Sequence, residues 1–189
     1  QAGLGFGGPC LEKDLNALIK IAEGEDHEPH LLKAILDRNE RQKTQMIAKL
    51  KEMCGDSLDR LTFAVFGLAF KAGTNDVRNS LAIGVVDRLA QEGAQVQAHD
   101  PVAIEVARNL LDERVEFSIG NYEALEGADA LIIHTEWHPY RHPDFSRIHS
   151  LMKRPLILDG RNLYDPAQMA ELGFEYICIG RPQHRKSGV

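Results

Sequence analysis

The feature that most constrains the fold is an alternation of short apolar runs with helical patterns between residues 61 and 179. Short, continuous apolar runs are typical of strands buried on both faces, and helices between them supply the crossovers of parallel strands. The runs are Phe63–Phe66, Ala94–Ala98, Val115–Ile119, Ala130–His134, Leu156–Asp159 and Glu175–Ile179. The sequence therefore predicts an α/β fold with a doubly wound parallel sheet of about six strands.

Two helical patterns precede the first strand. Apolar residues recur at helical spacing up to Gly24 and, after a break at 25–29, along one side of a long helix that ends before Gly55. The apolar positions are Leu15, Leu18, Ile19, Ala22, Leu31, Leu32, Ile35, Leu36, Ile47, Leu50 and Met53. A long helix that is polar all round at its middle packs on a domain or on a second copy of the chain. We therefore divide the chain into a helical linker and dimerisation segment, 1–57, and a sheet domain, 58–189.

Composition excludes several classes of protein. The chain has 43% hydrophobic and 26% charged residues, which fits a globular protein and not a disordered one. A net charge of −6 argues against nucleic-acid binding, which favours a basic face. No apolar run approaches the roughly 20 residues that span a bilayer, so we expect no membrane segment.

The cysteines and the N-terminus indicate where the protein works and how much of it is present. Three cysteines without metal-ligand spacing, Cys10, Cys54 and Cys178, favour a reducing compartment, and we expect a cytoplasmic protein. The chain opens inside a glycine-rich stretch and does not begin with methionine. We therefore expect it to be part of a longer protein.

The loop after the first strand, residues 67–76, is the first candidate site. Folds of this class bind phosphate at a glycine loop between the first strand and a helix, here with Asn79 or Ser80 as the N-cap. The GxGxxG spacing of dinucleotide-binding loops is absent. Lys71 and Arg78 can pair with phosphate, and Asp100 stands where a ribose-binding acid would. A tight turn without a ligand remains the alternative.

The second candidate site is the stretch from Gly5 to Asp14. Three glycines allow the backbone to lie close to a ligand, and they precede Cys10. A cysteine at the start of a helix is biased toward thiolate by the helix dipole and by a nearby lysine, here Lys13. Asp14 can steer a water or a proton. The alternative is a glycine-rich turn with a buried, structural cysteine.

Three histidines could suggest a metal site. His134, His138 and His142 are spaced at four-residue intervals, but His134 falls at a strand end and two prolines interrupt any helix. We interpret them as residues on a loop rim and predict no metal site. Trp137 is interpreted as a packing residue.

The two candidate sites together resemble the UDP-glucose/GDP-mannose dehydrogenase family. The matching motifs are Gly5–Asp14; Gly67–Lys71 with Thr74, Asp76, Arg78 and Ser80; Thr135–Trp137; and Asp159–Pro166. The resemblance runs from about Leu4 to Pro182. It implies that the chain comprises the central helices, which form a homodimer, and a C-terminal Rossmann-like domain that binds a UDP-sugar. It also implies that the family's N-terminal NAD domain is absent from this chain.

The resemblance further implies an oxidation of UDP-glucose to UDP-glucuronate by NAD in two hydride transfers. A cysteine captures the intermediate aldehyde as a thiohemiacetal, which becomes a thioester that water hydrolyses. The implied residues are Cys10 and Asp14 for catalysis; Phe6, Gly7, Phe70, Lys71 and Arg161 for the sugar nucleotide; and Lys13 and Arg78, with Cys10, for NAD.

Some positions depart from the family pattern, and some alternatives remain. Pro9 stands where serine is frequent, and Asn75 replaces a common acid. Glu12 stands where proline is frequent and places a carboxylate beside the thiol, which opposes its ionisation. GDP-mannose or a UDP-N-acetylhexosamine is the alternative substrate. A non-catalytic module for nucleotide-sugar binding and dimerisation is the alternative for the chain by itself.

Overall fold

The chain folds around one six-stranded parallel sheet with the strand order β3-β2-β1-β4-β5-β6. This computed structural model describes residues 3–182. The outer ends of the two predicted regions, 1–2 and 183–189, lie outside the described residues. The central strand β1 pairs with β2 and β4, so that Phe63 lies opposite Val96 on one side and Ala130 on the other. The predicted doubly wound parallel sheet is confirmed.

The strands are short and the helices connect them in sequence order. The strands are β1 Thr62–Phe66, β2 Gln95–His99, β3 Val115–Phe117, β4 Ala130–Ile133, β5 Leu156–Asp159 and β6 Glu175–Cys178. The helices are α1 Leu11–Gly24, α2 His30–Cys54, α3 Leu81–Gln91, α4 Ile104–Arg108, α5 His138–Arg141, α6 Phe145–Leu151 and α7 Pro166–Glu171, with a 3-10 turn at Glu123–Leu125. All six predicted strands are present, and their ends differ from the prediction by up to two residues.

Two local predictions differ from the structure. Ser80 occupies the N-cap position of α3, but its side chain makes no capping hydrogen bond there. Its hydroxyl instead donates to Leu68 O at 2.6 Å and ties the helix to the loop after β1. The short helix α5 was not predicted, because its sequence, His138-Pro139-Tyr140-Arg141, has no apolar periodicity. Pro139 fits in its first turn, where no N–H is needed.

The sheet separates two apolar layers, as alternation along β1 shows. Phe63 and Val65 face a core built with α2, α3 and α4, whereas Ala64 and Phe66 face a core built with α6 and α7. Because all five residues of β1 are buried, the strand has a continuous apolar sequence with no polar face. Because the strands are parallel, the carboxyl ends of the central strands β1 and β4 lie side by side at one end of the sheet.

The long helix α2 joins this sheet on one half only. Met46, Ile47 and Leu50 are buried in the core, and α2 ends where Arg154 Nη1 donates to Met53 O at 2.6 Å. The first half of α2 packs against α1 and is otherwise largely exposed. Although α2 has 25 residues, neither it nor another helix within residues 3–182 is long and apolar enough to cross a membrane.

Candidate active site

The candidate site lies at the carboxyl ends of β1, β4 and β5. Connections from β1 run toward β2 on one side and those from β4 toward β5 on the other, and ligands of such sheets bind in the crevice at this reversal. Phe70 follows β1, His134 follows β4 and Arg161 follows β5. These three residues and Gly7 line a cavity of ≈ 20 Å³. A cavity of this size holds about one water molecule and no larger ligand.

The residues from Gly3 to Gly8, called the glycine segment below, cover this cavity. Leu4 N donates to Gly160 O at 2.9 Å, and Gly8 N donates to Arg78 O at 3.0 Å. The segment is therefore tied at one end to the loop after β5 and at the other end to the loop before α3. Pro9 and Cys10 follow Gly8 directly, so the segment held by these two loops leads into Cys10.

Two positions of the glycine segment require glycine because other groups approach closely. A Cβ atom at Gly7 would overlap the carbonyl oxygen of Asn79. At Gly8 it would lie 2.6 Å from the Phe70 ring, and the φ of +86° is itself unfavourable for other residues. The close approach seen at Gly7 and Gly8 is to Asn79 and Phe70 of the chain itself. The approach of this backbone to a ligand stays a prediction.

Asn39 on α2 holds the middle of the glycine segment. Its Oδ1 accepts from Phe6 N at 2.9 Å, and its Nδ2 donates to Phe6 O at 2.8 Å. Asn39 is not among the predicted site residues, because it falls within the polar middle of a long helix. A single buried asparagine 33 residues from its partner gives no periodic signal that sequence reasoning can use.

Arg161 is held in place by two carboxylates. Its Nη2 lies 2.6 Å from Glu136 Oε2. Burial alone would raise the pKa of Glu136, but the hydrogen bond and charge of Arg161 lower it. The Arg161 backbone N–H donates to Asp159 Oδ1 at 2.7 Å, and Tyr176 Oη donates to Oδ2 at 2.6 Å. Burial raises the pKa of Asp159 despite these donors. Arg161 is therefore oriented before any ligand arrives.

His134 is a buried histidine at the bottom of the site. Its Nε2 has no hydrogen-bond partner within residues 3–182. Burial, with a smaller contribution from the charge of Arg161, lowers the pKa of His134 to about 3. The imidazole is therefore neutral near pH 7.

Cys10 lies at the N-terminus of α1 with an exposed side chain, so it is not a buried structural cysteine. Lys13 Nζ is 3.1 Å from Asp14 Oδ1; this hydrogen bond and the charge of Asp14 raise the pKa of Lys13, and Cys10 adds a smaller effect in the same direction. Asp76 likewise raises the pKa of Arg78, again with a smaller contribution from Cys10. Lys13 lies in the first turn of α1, which begins directly after Cys10, and Arg78 O accepts from Gly8 N two residues before Cys10, so both cations belong to chain segments next to the thiol.

Lys71 lies on the rim of the site and is exposed. Its Nζ is 5.4 Å from the centroid of the Phe70 ring, within the range of a cation–π contact. Arg78 is also exposed, and Asp76 engages its Nη2 at 2.6 Å. Both predicted phosphate-pairing cations are thus accessible, but Arg78 already has an anionic partner.

Asp100 does not serve as a ribose-binding acid, and that interpretation is wrong. Its Oδ2 accepts from Leu68 N, Ala69 N and Trp137 Nε1 at 2.8, 3.1 and 3.0 Å, and its Oδ1 accepts from two backbone N–H groups of the next turn. The residue is 1% exposed. Its carboxylate therefore fixes the loop after β1, and Trp137 is the packing residue expected with an added hydrogen bond.

A ligand-sized space lies on the outer side of the glycine segment. A groove of ≈ 360 Å³ runs between this segment and α2, lined among others by Phe6, Ile35, Arg38 and Gln42. Its volume falls within the range of small-molecule sites. Within residues 3–182, no group of three or more His, Cys, Asp or Glu side chains is arranged to hold a metal ion. The three spaced histidines do not form such a group.

Comparison with known proteins matches both parts of the chain. The sequence model of the UDP-glucose/GDP-mannose dehydrogenase family, UDP binding domain, matches residues 64–166, and the central domain of the same family matches residues 1–41. UDP-glucose 6-dehydrogenase of Pseudomonas aeruginosa is 44% identical over 187 residues, 96% of this chain and 41% of that protein. The Bacillus subtilis UDP-glucose 6-dehydrogenase TuaD is 40% identical over 98% of this chain and 40% of its own length.

Solved structures of nucleotide-sugar dehydrogenases also resemble this chain. A UDP-glucose dehydrogenase from the archaeon Pyrobaculum islandicum superimposes with a TM-score of 0.76 at 36% identity, over 85% of this chain and 35% of that one. UDP-D-ManNAc dehydrogenase from Pyrococcus horikoshii also reaches 0.76, at 28% identity, over 95% of this chain and 40% of that one. The chain thus spans about two fifths of the length of the curated relatives it matches. It belongs to the UDP-glucose/GDP-mannose dehydrogenase family.

Proposed function

We propose that this chain is the catalytic-cysteine and sugar-nucleotide-binding part of an NAD-dependent enzyme that oxidises UDP-glucose to UDP-glucuronate. The observation that carries the proposal is the exposed thiol of Cys10 at the N-terminus of α1, with Lys13 in the first turn and Arg78 bonded to Gly8 two residues before the thiol. The glycine segment joins this thiol to Phe70 and Arg161. The names of the similar relatives from Pseudomonas and Bacillus support UDP-glucose as the substrate.

The sugar nucleotide would bind on the glycine segment and the groove beside it. Arg161, oriented by Glu136, presents a guanidinium of the kind that pairs with phosphate oxygens, and Lys71 adds a second cation at the rim. Phe6 and Gly7 would contact the ligand through their backbone, and Phe70 would contact it through its ring. Of these residues, Phe6 lines the groove, whereas Gly7, Phe70 and Arg161 line the small cavity on the other side of the glycine segment.

Cys10 supplies the nucleophile. Oxidation of the C6 alcohol gives an aldehyde, and Sγ attacks its carbon to form a C–S bond while the carbonyl oxygen takes up a proton. Oxidation of this thiohemiacetal gives a thioester. Water then attacks the carbonyl carbon, the C–S bond breaks, and the products are the uronate and the free thiol. Asp14, one turn after Cys10 on α1, would orient or deprotonate that water.

NAD fits the open side of this cluster. The cations beside the thiol, Lys13 and Arg78, are exposed there, and the side chains can reach a negatively charged group that approaches from outside. When bound, NAD accepts the hydride that leaves C6. We assign Lys13 and Arg78, together with Cys10, to the contact with this cofactor, and the GxGxxG loop is not part of this sequence.

We further propose the division into a helical region, 1–57, and a sugar-nucleotide domain, 58–189. The homodimer would form through α1 and α2, whose exposed apolar residues support such a contact. Free thiols at Cys10, Cys54 and Cys178 support a reducing, cytoplasmic setting.

The test is product formation by the longer dehydrogenase that contains this segment, with Cys10→Ser. We expect uronate release from UDP-glucose to fall roughly a thousandfold or more, because serine forms no thioester. Cys54→Ser is the matched control, since Cys54 is half-buried at the end of α2. Uronate release by the Cys10→Ser variant at the normal rate would contradict the mechanism.

The substrate is tested by calorimetric titration of the chain with UDP-glucose, GDP-mannose, a UDP-N-acetylhexosamine and NAD in parallel. Selective binding of UDP-glucose supports the proposal. Preference for another nucleotide sugar would replace the substrate and leave the cysteine chemistry in place. If the isolated chain binds none of them, the same titration of the longer dehydrogenase decides between these substrates.

A further inference from the structure

We propose that Asn39 is a positioning residue that fixes the backbone of Phe6 and Gly7 at the sugar-nucleotide site; this rests on the function proposed above. Asn39 also lines the groove beside the segment, but its amide is engaged with Phe6 and would not touch the reacting atoms. It would act through the glycine segment, by holding the part that we assign to the substrate in one conformation.

The geometry is that of a matched pair of hydrogen bonds. Oδ1 of Asn39 accepts from Phe6 N at 2.9 Å while Nδ2 donates to Phe6 O at 2.8 Å. The amide thus satisfies both polar groups of one peptide residue, as a neighbouring strand would. Asn39 is only 8% exposed, although most of the surrounding half of α2 is open.

The glycine segment is shaped for this contact. A Cβ atom at Gly5 would lie 2.5 Å from Asn39 Oδ1, so glycine at that position lets the segment reach the amide. On either side the segment is anchored through Leu4 N at one end and through Gly8 at the other, where Gly8 N donates to Arg78 O and Gly8 O accepts from Asn79 Nδ2. Between these anchors, the two bonds to Asn39 determine the conformation of a glycine-rich backbone that has little preference of its own.

The expected consequence is an effect on binding more than on chemistry. Without the amide, the segment becomes disordered before the ligand binds, and the ligand must then order it. We expect Asn39→Ala in the longer dehydrogenase to raise KM for UDP-glucose about tenfold, with kcat within about twofold of normal. A role confined to stability would instead lower the amount of folded enzyme and leave KM unchanged.

A sharper test uses Asn39→Asp, because a protonated carboxyl group has the same shape and the same donor and acceptor as the amide. The carboxylate form keeps the acceptor for Phe6 N but faces Phe6 O without a proton. Burial opposite the Phe6 carbonyl should raise the pKa of this carboxyl group well above the usual value of about 3.9, so we expect the ligand affinity of the variant, relative to the unsubstituted protein, to recover as pH is lowered from about 8 to about 5. Asn39→Ala should show no such recovery.

The surroundings of Asn39 do not supply this pH dependence. The backbone of the glycine segment faces Asn39, and Leu81 of α3 lies beside it at Gly5; the charged neighbours on α2 are Arg38, which lines the same groove, and the Lys43–Glu40 ion pair. Arginine stays protonated across this range. Asn109→Asp is the matched control: this asparagine is an exposed residue directly after α4 whose Nδ2 donates to Glu105 O, and the variant should bind normally at every pH.

Amide hydrogen exchange of Phe6 separates failure of this inference from failure of the proposed function. In the chain without ligand, Asn39→Ala should speed exchange of the Phe6 amide about tenfold or more. Unchanged exchange would overturn the inference whatever the protein binds. Faster exchange with KM unchanged would overturn the role in binding. Faster exchange in an enzyme that does not act on UDP-glucose would retain the positioning role and reject only the substrate.

Discussion

The two halves of α2 differ sharply in their surroundings, although the helix is continuous. In the second half, Leu50 is 1% exposed and lies in the core beside the sheet. In the first half, Leu31 is 73% exposed, and on the adjoining helix α1, Leu18 and Ile21 are 52% and 64% exposed. The body also leaves large apolar side chains open, among them Leu110 and Ile119, but it buries a core beneath them, whereas α1 and the first half of α2 bury only Ile19 and Asn39. The difference supports an external partner for the helical pair, which we propose is a second copy.

Polar groups show the same contrast. In the body, the buried carboxylates of Asp100 and Asp159 are surrounded by hydrogen-bond donors. In the helical pair, charged groups such as Lys33 and Glu23 meet in exposed ion pairs. Exposed ion pairs contribute little to stability, about 1 kcal/mol or less. The stability of the chain therefore resides in the body, and the comparison can be tested by substitutions matched between the two regions.

The largest expected effect is that of Asp100→Ala, which leaves five donors in the body without their acceptor. We expect the free energy of unfolding in urea to fall by about 4 kcal/mol. The control is Asp87→Ala on α3, whose carboxylate has one exposed partner, Gln91. Its effect should stay within about 0.5 kcal/mol. Equal effects of the two variants would remove the distinction we draw for the body.

The same substitution at two positions of α2 tests the comparison within a single helix. Leu50→Ala should lower the free energy of unfolding by about 3 kcal/mol, because it leaves a cavity in the core. Leu31→Ala, measured at low protein concentration, should change it by about 0.5 kcal/mol or less. A large loss at Leu31 would show that the first half of α2 is already covered within the single chain.

The pH dependence of stability tests the burial of His134. A buried histidine with a lowered pKa binds no proton in the folded state until the pH approaches about 3, whereas the unfolded chain takes one up below its ordinary value of about 6.5. Acidification from pH 7 to pH 5 should therefore cost about 2 kcal/mol at this residue. Burial lowers the pKa of His99 as well, which acts in the same direction.

In His134→Gln, the loss of stability between pH 7 and pH 5 should be smaller by that amount when unfolding is followed at both pH values. His27→Gln, an exposed position between α1 and α2, is the control and should retain the full loss. An unchanged pH dependence in the His134 variant would show that the folded protein binds the proton at His134 easily.

The smallest expected effect concerns association. Leu18→Glu places a charge on the exposed apolar face of α1, and we expect it to weaken self-association about tenfold in sedimentation equilibrium, equivalent to about 1.4 kcal/mol. Leu172→Glu is a control because Leu172 is also exposed, 42%, but lies on the body after α7. A protein that is monomeric at high concentration before any substitution would contradict the proposed homodimer.

Periodicity predicted the elements of the fold well, because burial imposes a repeated pattern on strands and helices. The grouping of Gly7, Phe70 and Arg161 came from the family resemblance instead, and in the structure these three residues line one cavity. Periodicity did not predict what single polar side chains do. Ser80 bonds back to Leu68 O instead of capping α3, and Asp100 holds a loop instead of a ligand. Such bonds join residues far apart in sequence and leave no repeat.

The helix α2 is therefore held in the core at one end only. Its second half packs in the core, and about 22 Å of helix, from His30 to Thr44, extends beyond the core. Asn39 lies in this extending part and forms two hydrogen bonds with Phe6 of the glycine segment. A partner that packs on the His30 end of α2 is therefore held at a fixed orientation to the backbone of Phe6. A small tilt of α2 where it leaves the core would become a larger displacement toward His30, and it would move the glycine segment.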